Sequence, residues 1–417
     1  MSQVKGLNRV PRLRYHFKHP TFDFFFQWLA GTETHGGAEL GEAFVAASEI
    51  HDGDIEGWTR AWTALAQRVE QRAADGLSQG HLVSAREAYL RAYIYYRAAL
   101  VFMNPRADQR FSEQLEQARL CFRCGASLLD LPLESIHIPF ESTTLPGLFL
   151  KAAADDAPRP TLIMIGGGDT FLEDLYYYIG PAGQKRGYNV LMVDLPGQGD
   201  LPNRGLVWRP DAEKPLGAVV DYALGRLDVD GERLAAYGLS GGGYLVPRAA
   251  TRDRRLKAIV ACSIILDMSR IWAPILPKLE TSPVFKLWRR LQPRRFEPTM
   301  RLLETYKWRW GVRSLSDLIR VCRASTFDPT LITCPTLNLV PENEYGSYQT
   351  GRTWAYECLE KINHPNNRLV VAPRNEGADS HGAGTNLSLM SQIVFDWLDE
   401  VFQPAETVIE EPALAGV

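Results

Sequence analysis

The sequence predicts an α/β protein in which an all-helical N-terminal domain precedes a mostly parallel, doubly wound sheet. Two features of the hydrophobic pattern support this prediction. Up to about residue 132, apolar residues recur every three or four positions, as they do on one face of a helix. From residue 133 onward, short apolar runs end in Gly, Asp or Ser and alternate with helix-length segments, which is typical of a parallel sheet covered on both faces.

The helical domain is predicted to occupy residues 1–132. Amphipathic patterns run through IEGWTRAWTALAQRVEQRAADG and HLVSAREAYLRAYIYYRAALVF, and Asp54 and Ser84 stand near the predicted helix starts. Cys121 and Cys124 form a C-x-x-C spacing inside a further helical pattern, with no second cysteine pair to complete a zinc site. We therefore expect reduced thiols at these positions, and no bound metal or cofactor.

The second domain is predicted to span residues 133–417. Two short alternating strands form a hairpin at its start, and six apolar runs follow, TLIMIGGGDT, YNVLMVDLPGQGD, RLAAYGLSGGGY, LKAIVACSIILD, CPTLNLVPENE and NRLVVAPRNEG. Residues 268–326 interrupt this rhythm and are rich in Trp, Pro and Arg. They are interpreted as extra helices on the core or as a lid over the ligand-binding edge of the sheet. Residues 404–417 are predicted to form a loose tail.

Charge and hydropathy restrict the class of partner. The 417-residue chain has 46 Lys and Arg against 49 Asp and Glu, a formal net charge of −3. This balance argues against nucleic-acid binding, which needs concentrated positive charge. No apolar stretch approaches the roughly 18–20 residues of a membrane span, and the N-terminus lacks the apolar core of a secretion signal. We therefore expect a cytoplasmic protein that acts on a small molecule, without nucleic-acid or membrane partners.

A candidate nucleophile lies in the segment GLSGG at Gly238–Gly242, which matches G-x-S-x-G. It follows an apolar strand and precedes a helical pattern, the context in which this motif forms a strained turn that presents the serine hydroxyl. The N-terminus of the following helix favours negative charge developing there. A phosphate-binding glycine loop is the alternative, but the sequence lacks G-x-x-x-x-G-K-[ST]. Ser240 is therefore the candidate nucleophile.

A serine nucleophile needs an acid and a base, and in folds that carry this strand–turn–helix motif the acid comes first after the serine and the base second. His381 is the candidate base, because it alone among the eight histidines follows the last predicted strand in a Gly-rich loop. A loop histidine without a catalytic role is the competing interpretation. The acid is expected after CPTLNLV, where Glu344 is preferred over Glu342; Asp267, after IVACSIIL, is the second candidate.

An oxyanion hole requires two backbone N–H groups beside the nucleophile. Gly241 directly follows the serine, and Gly168 lies in the glycine run after TLIMI, where the backbone can approach closely. Tight strand-to-helix turns would explain the same glycines. We expect Gly241 and Gly168 to supply the two donors.

Several motifs together resemble the α/β-hydrolase superfamily. GGGD, DLPGQG, GLSGG, PTLNLVPENE and DSHGAG occur in the superfamily's order over residues 134–402. REAYLRAYIYYRAA, the G-G-x-D turn and FDWLDE are similar to the group that includes fermentation–respiration-switch-like hydrolases, 2,6-dihydroxypseudooxynicotine hydrolase and melanin-pathway hydrolases that shorten polyketides. The resemblance implies an α/β-hydrolase core, a helical cap over the active site and a homodimer.

The resemblance also implies roles for individual residues. Ser240 resembles the nucleophile, His381 the base and Glu344 the acid, although Asp is common at the acid position and Pro341 replaces a Gly in that turn. Asp267 falls where related carbon–carbon hydrolases carry a substrate-facing carboxylate, so a binding or proton-handling role is its alternative.

The expected activity is therefore hydrolysis through an acyl-enzyme, on a polyketide-like or aryl ketone by carbon–carbon cleavage, or on an ester, in secondary metabolism or catabolism. Two alternatives stay open: an acyltransferase or cyclase of natural-product biosynthesis with the same three residues, and a non-catalytic binding protein on a hydrolase fold. Aromatic residues of the helical domain suit an aromatic substrate, but core packing also explains them. These residues are Phe24, Phe25, Phe26, Trp28, Tyr93, Tyr95 and Tyr96.

Overall fold

Five helices precede the sheet in the computed structural model, which describes residues 13–272, 282–347 and 349–402. Asp54 caps the third helix as predicted, since its carboxylate accepts the Gly57 N–H at 3.0 Å. The fourth helix starts two residues before Ser84, because a left-handed turn at Gly80 closes the preceding helix directly before it. The five helices are α1 (Pro20–Gly31), α2 (Leu40–Ser48), α3 (Ile55–Ser78), α4 (Leu82–Ala99) and α5 (Arg110–Ala126).

The eight predicted strands form one sheet in the order β1-β2-β4-β3-β5-β6-β7-β8. β2 runs antiparallel to both β1 and β4, and the pairs from β4 through β8 are parallel. This arrangement confirms the predicted fold class. The strands are β1 (Leu133–Phe140), β2 (Thr143–Leu150), β3 (Arg159–Ile165), β4 (Asn189–Val193), β5 (Val229–Leu239), β6 (Ala258–Cys262), β7 (Thr336–Pro341) and β8 (Arg368–Ala372).

The central strands are apolar without alternation because helices cover both faces of the sheet. Every residue of β4 and of β6 is buried. On one face pack α6 (Asp174–Lys185) and α15 (Leu387–Phe402), and on the other pack α7 (Glu213–Leu224) and α8 (Gly242–Ala250). Because the strands from β4 through β8 are parallel, their carboxyl ends lie along the same edge of the sheet.

The N-terminal helices share a hydrophobic core with one face of the sheet. Trp58 of α3 and Tyr93 of α4 belong to the same buried cluster as Leu162 and Met164 of β3. The predicted boundary at 132/133 falls in the connection between α5 and β1, and the division into two domains stays a prediction. None of the helices in the described ranges is long and apolar enough to cross a membrane.

The predicted insertion at 268–326 is mainly helical where it is described. Its helices are α9 (Met268–Trp272), α10 (Pro283–Leu291), α11 (Pro293–Arg309) and α12 (Leu315–Arg323), and residues 273–281 lie outside the described residues. Two short helical segments then follow β7, α13 (Glu342–Ser347) and α14 (Gln349–Lys361). The tail expected at 404–417 also lies outside the described residues.

A buried ion pair joins the helical region to the sheet. Arg97 of α4 donates from Nε to Asp174 Oδ2 at 3.0 Å and from Nη2 to the carbonyl of Asp169 at 2.7 Å. The Tyr93 hydroxyl donates to the other oxygen of Asp174 at 2.7 Å. The guanidinium also lies 4.6 Å from the centre of the Phe171 ring. The positive charge of Arg97 and the negative charge of Asp174 are thus paired inside the protein, where α4 packs against the start of α6.

Replacing Arg97 should destabilise the protein strongly, because the Asp174 carboxylate would stay buried without its cation. We expect Arg97→Met to lower the free energy of unfolding by about 3–5 kcal/mol, measured by urea denaturation. Arg86→Met is the matched control on the same helix: Arg86 is half-buried and pairs with the exposed Asp130. Its loss should cost less than about 1 kcal/mol. Equal losses in the two variants would contradict the importance of this ion pair.

Candidate active site

Ser240 lies in a sharp turn between β5 and α8. Its φ of +54° is in the left-handed region, which residues other than glycine rarely adopt. The two motif glycines are required by close packing: a Cβ on Gly238 would lie 2.0 Å from the carbonyl oxygen of Gly242, and one on Gly242 would lie 2.6 Å from that of Ile165. The turn therefore holds the serine side chain at the open edge of the sheet, beside the N-terminus of α8.

His381 approaches Ser240 from the loop between β8 and α15. Its Nε2 lies 2.7 Å from Ser240 Oγ, and its Nδ1 is hydrogen-bonded to Glu344 Oε1. A carboxylate partner favours the tautomer with the proton on Nδ1, which leaves Nε2 free to accept the serine proton. The structure thus brings all three predicted residues into one hydrogen-bonded line.

Glu344 stands on α13, immediately after β7, and is buried with 8% of its surface exposed. Its second oxygen, Oε2, accepts a hydrogen bond from the Ser263 hydroxyl at 2.6 Å. Ser263 follows β6, and sequence reasoning missed it; its position at the carboxyl end of a central strand is the signal that could have indicated it. The carboxylate is therefore oriented through both oxygens.

The two other candidate carboxylates lie away from His381. Glu342 is exposed and accepts the Arg374 N–H at 2.8 Å. Asp267 stands at the start of α9. Its Oδ1 accepts two hydrogen bonds from Ser269, one from the backbone N–H at 2.9 Å and one from the hydroxyl at 2.6 Å. Because this carboxylate is turned toward its own helix, Asp267 is not the hydrogen-bond partner of His381.

The two glycines predicted to form the oxyanion hole are neighbours in space. A Cβ on Gly241 would lie 3.0 Å from the backbone nitrogen of Gly168, and one on Gly167 would lie 3.3 Å from Ser240 Oγ. Among the residues that the structure describes, the N–H groups of Gly168 and Gly241 have no hydrogen-bond acceptor. Both donors are thus available to a ligand oxygen beside the serine.

A small cavity adjoins Ser240 and His381. Its volume is about 40 Å³, enough for roughly three water molecules at about 10–15 Å³ each. Phe24, Phe25 and Trp28 of α1 form an apolar wall, and the Phe24 ring lies 6.2 Å from the imidazole of His381. The polar lining comes from Arg97, Asp169, Thr170 and Asp174.

The insertion covers the same loop from another side. A Cβ on Gly168 would lie 3.1 Å from the Tyr306 ring and 3.2 Å from the Trp310 ring. The Tyr306 hydroxyl also donates to Asp169 Oδ2 at 3.3 Å. Residues of α11 and the residue after it therefore enclose the loop that follows β3.

Some of the aromatic residues singled out in the helical region line the cavity, and others pack in the core. Phe24, Phe25 and Trp28 line the cavity. Phe26 is buried in the core, and the hydroxyls of Tyr95 and Tyr96 bond Glu42 at 2.8 Å and Glu70 at 2.6 Å. Tyr93 is the partner of Asp174 described above. Sequence reasoning did not single out Tyr178 of α6, which also lines the cavity.

The C-x-x-C cysteines lie on α5 as free thiols. Cys121 is fully buried, which raises the pKa of its thiol, and Cys124 is half-buried. Within the described ranges, no group of three or more His, Cys, Asp and Glu side chains is arranged to hold a metal ion.

Comparison with known proteins relates the chain to hydrolases. Residues 162–355 match the profile of the alpha/beta hydrolase family. The hydrolase LUC6 of a Fusarium species is 32% identical over 411 residues, which cover 93% of this chain and 97% of the relative. The 20-hydroxy-prefusarin hydrolase FUS2 of Gibberella moniliformis is 31% identical over 413 residues, with the same coverage of 93% and 97%.

Two solved structures share the fold over most of their length. The 2,6-dihydroxy-pseudo-oxynicotine hydrolase superposes with a TM-score of 0.69 at 22% identity, covering 89% of this chain and 95% of that chain. AbyA5 superposes with a TM-score of 0.60 at 16% identity, covering 89% and 94%. Since relatives that match over nearly their full length exceed 30% identity, the chain belongs to the alpha/beta hydrolase family and is an enzyme of the hydrolase class.

Proposed function

We propose that the enzyme is a serine hydrolase that works through an acyl-enzyme, with Ser240 as nucleophile, His381 as general base and Glu344 as the acid that orients it. One observation carries the proposal: the hydrogen-bonded line from Ser240 Oγ through both ring nitrogens of His381 to Glu344, built on a strained turn. Backbone strain of this kind is concentrated at functional sites. The left-handed conformation of Ser240 therefore favours a reactive serine over an ordinary surface serine.

The first half of the proposed reaction forms the acyl-enzyme. His381 Nε2 takes the proton from Ser240 as Oγ bonds the substrate carbonyl carbon, and the carbonyl π electrons move to its oxygen. The N–H groups of Gly168 and Gly241 stabilise that oxyanion, and the Glu344 carboxylate stabilises the imidazolium. When the oxyanion collapses, the bond to the leaving carbon or ester oxygen breaks, and the leaving group takes its proton from His381.

The second half releases the acyl group. A water molecule loses a proton to His381 and attacks the acyl carbon, and the breaking ester bond returns its electron pair and the proton to Ser240. The products are a carboxylic acid and the protonated leaving group. A β-diketone or an aryl ketone fits this chemistry, because its leaving carbanion is delocalised.

The proposed substrate is aromatic or polyketide-like. The apolar wall of Phe24, Phe25, Trp28 and Leu239 beside the nucleophile supports this class, since apolar and aromatic linings provide most of the binding energy for such ligands. The printed name of one relative, 20-hydroxy-prefusarin hydrolase, is consistent with a role in secondary metabolism. We further propose that residues 1–132 act as the cap; the homodimer and the cytoplasmic location stay predictions.

Ser240→Ala should abolish the reaction. A fluorophosphonate probe is expected to label the wild type at this serine, and the variant should lose both the label and about 10⁴–10⁶-fold in kcat/KM on an activated aryl ester. His381→Ala should also lose the label, which distinguishes an enzyme from a binding protein. Ser391→Ala, a buried serine on α15, is the control and should label normally. Full activity of Ser240→Ala would refute the mechanism.

The three candidate carboxylates can be separated by isosteric amides. Glu344→Gln should lower kcat by about 10³–10⁴-fold, because the amide no longer stabilises the imidazolium or sets the tautomer. Glu342→Gln and Asp267→Asn should stay within about threefold, because their side chains bond Arg374 and Ser269 instead. Steady-state kinetics at pH 7.5 measure all three. A loss in Asp267→Asn as large as that in Glu344→Gln would reverse the assignment.

Hydrolysis and acyl transfer differ in the acceptor of the acyl group. In water enriched in oxygen-18, hydrolysis should place one labelled oxygen in the carboxylic acid product, which mass spectrometry detects. An acyltransferase or cyclase would form a product without label, because a substrate hydroxyl, amine or carbanion takes the acyl group. An unlabelled ester, amide or ring as the main product would replace the hydrolase proposal with this alternative.

A further inference from the structure

We infer that Gln198 is a positioning residue, which holds the peptide group between Gly167 and Gly168 in the orientation that the oxyanion contact needs. The inference rests on the proposed function, in which the Gly168 N–H is one of the two oxyanion donors. Gln198 belongs to the turn DLPGQG that follows β4, and its side chain does not touch the substrate cavity. It would therefore act through the backbone of the neighbouring loop.

The contacts of Gln198 converge on this backbone. The residue is fully buried, and its Nε2 donates to the carbonyl oxygens of Gly166 at 2.5 Å and of Gly167 at 3.2 Å. The carbonyl of Gly167 and the N–H of Gly168 belong to the same peptide group. Because that group is planar and trans, its N–H points opposite to its C=O, so a partner on the carbonyl sets the direction of the N–H.

The amide of Gln198 has only one orientation that satisfies its neighbours. Its Oε1 accepts the backbone N–H of Leu195 at 2.8 Å, and only the NH₂ group can donate to two carbonyls. The Gln198 N–H in turn donates to the Leu195 carbonyl at 2.8 Å. The side chain is thus locked within its own turn, and burial keeps water from competing for its donors.

The loop that Gln198 contacts needs such support. Three consecutive glycines at 166–168 offer little steric resistance to rotation of the peptide planes. At the far end, Arg97 bonds the Asp169 carbonyl, which lies two peptide groups further along the chain. The Thr170 hydroxyl also reaches the Gly167 carbonyl, at 3.3 Å. Gln198 and Thr170 thus both bond the Gly167 carbonyl, and Gln198 also bonds the Gly166 carbonyl.

The test removes the donors of Gln198 without removing its volume. Gln198→Met and Gln198→Leu both remove the NH₂ group without adding a charge, and Gln184→Met is the control, since Gln184 Nε2 donates to the Lys151 carbonyl at 2.8 Å away from the cavity. For each variant we would measure kcat and KM on an activated ester, the Ki of a trifluoromethyl ketone that forms a tetrahedral adduct, and the melting temperature.

The Gln198 variants should lose about 10- to 100-fold in kcat with KM within threefold, less than the 10²–10³-fold typical of deleting an oxyanion donor outright, because the N–H is loosened and Gly241 remains. The Ki of the trifluoromethyl ketone should rise by the same factor as kcat falls. Gln184→Met should change neither quantity.

Two results would overturn the inference. In one, the Gln198 variants melt at lower temperature but keep kcat and Ki within threefold of the wild type, as expected of a purely structural residue. In the other, KM rises as much as kcat falls. If Gln198→Met does not fold, Gln198→Leu carries the same measurements, because it also removes the donors and places no charge at the buried position. Failure of the proposed function gives a different pattern, since the wild type would then resist fluorophosphonate and Ser240→Ala would stay active.

Discussion

The left-handed backbone at Ser240 is the constraint on which the rest of the site depends. Such a conformation costs about 1–3 kcal/mol in a residue other than glycine, and surrounding packing must offset it. Gly238 and Gly242 let neighbouring backbone approach to distances that any side chain would block. The same close approach seats the turn against the end of β3, so the strained serine and the glycine loop after β3 are fixed relative to each other.

The helical region lines the cavity and also supports the loop that follows β3. Its core is continuous with one face of the sheet, and Arg97 bonds both Asp174 and the loop backbone at Asp169. The insertion adds Tyr306 and Trp310 against Gly168. With Gln198 of the turn after β4, three separate parts of the chain therefore contact the loop that follows β3.

The elements with a local signal could be predicted from the sequence. Alternating residues located the first two strands and apolar runs the other six, and the G-x-S-x-G turn and the Gly-rich loop singled out Ser240 and His381, because each signal depends on nearby residues alone. The sequence favours Glu344 over Asp267 as the partner of His381 but leaves Asp267 as the alternative, because the direction of the Asp267 carboxylate depends on its hydrogen bonds to Ser269 at the start of α9. Phe24 and Phe26 are two residues apart on one helix, and only the docking of that helix decides which faces the cavity. Contacts across 77 residues, as between Arg97 and Asp174, have no sequence pattern.

The small volume of the cavity beside Ser240 bears on the order of steps in the proposed reaction. The cavity has room for only a few water molecules, so a leaving fragment next to the proposed acyl-serine would fill the space from which water must attack. In the proposed reaction, water would therefore reach the acyl carbon only after that fragment has moved out of the cavity. A second nucleophile on the same substrate would compete with that water for the acyl carbon, and it would not have to enter from solvent.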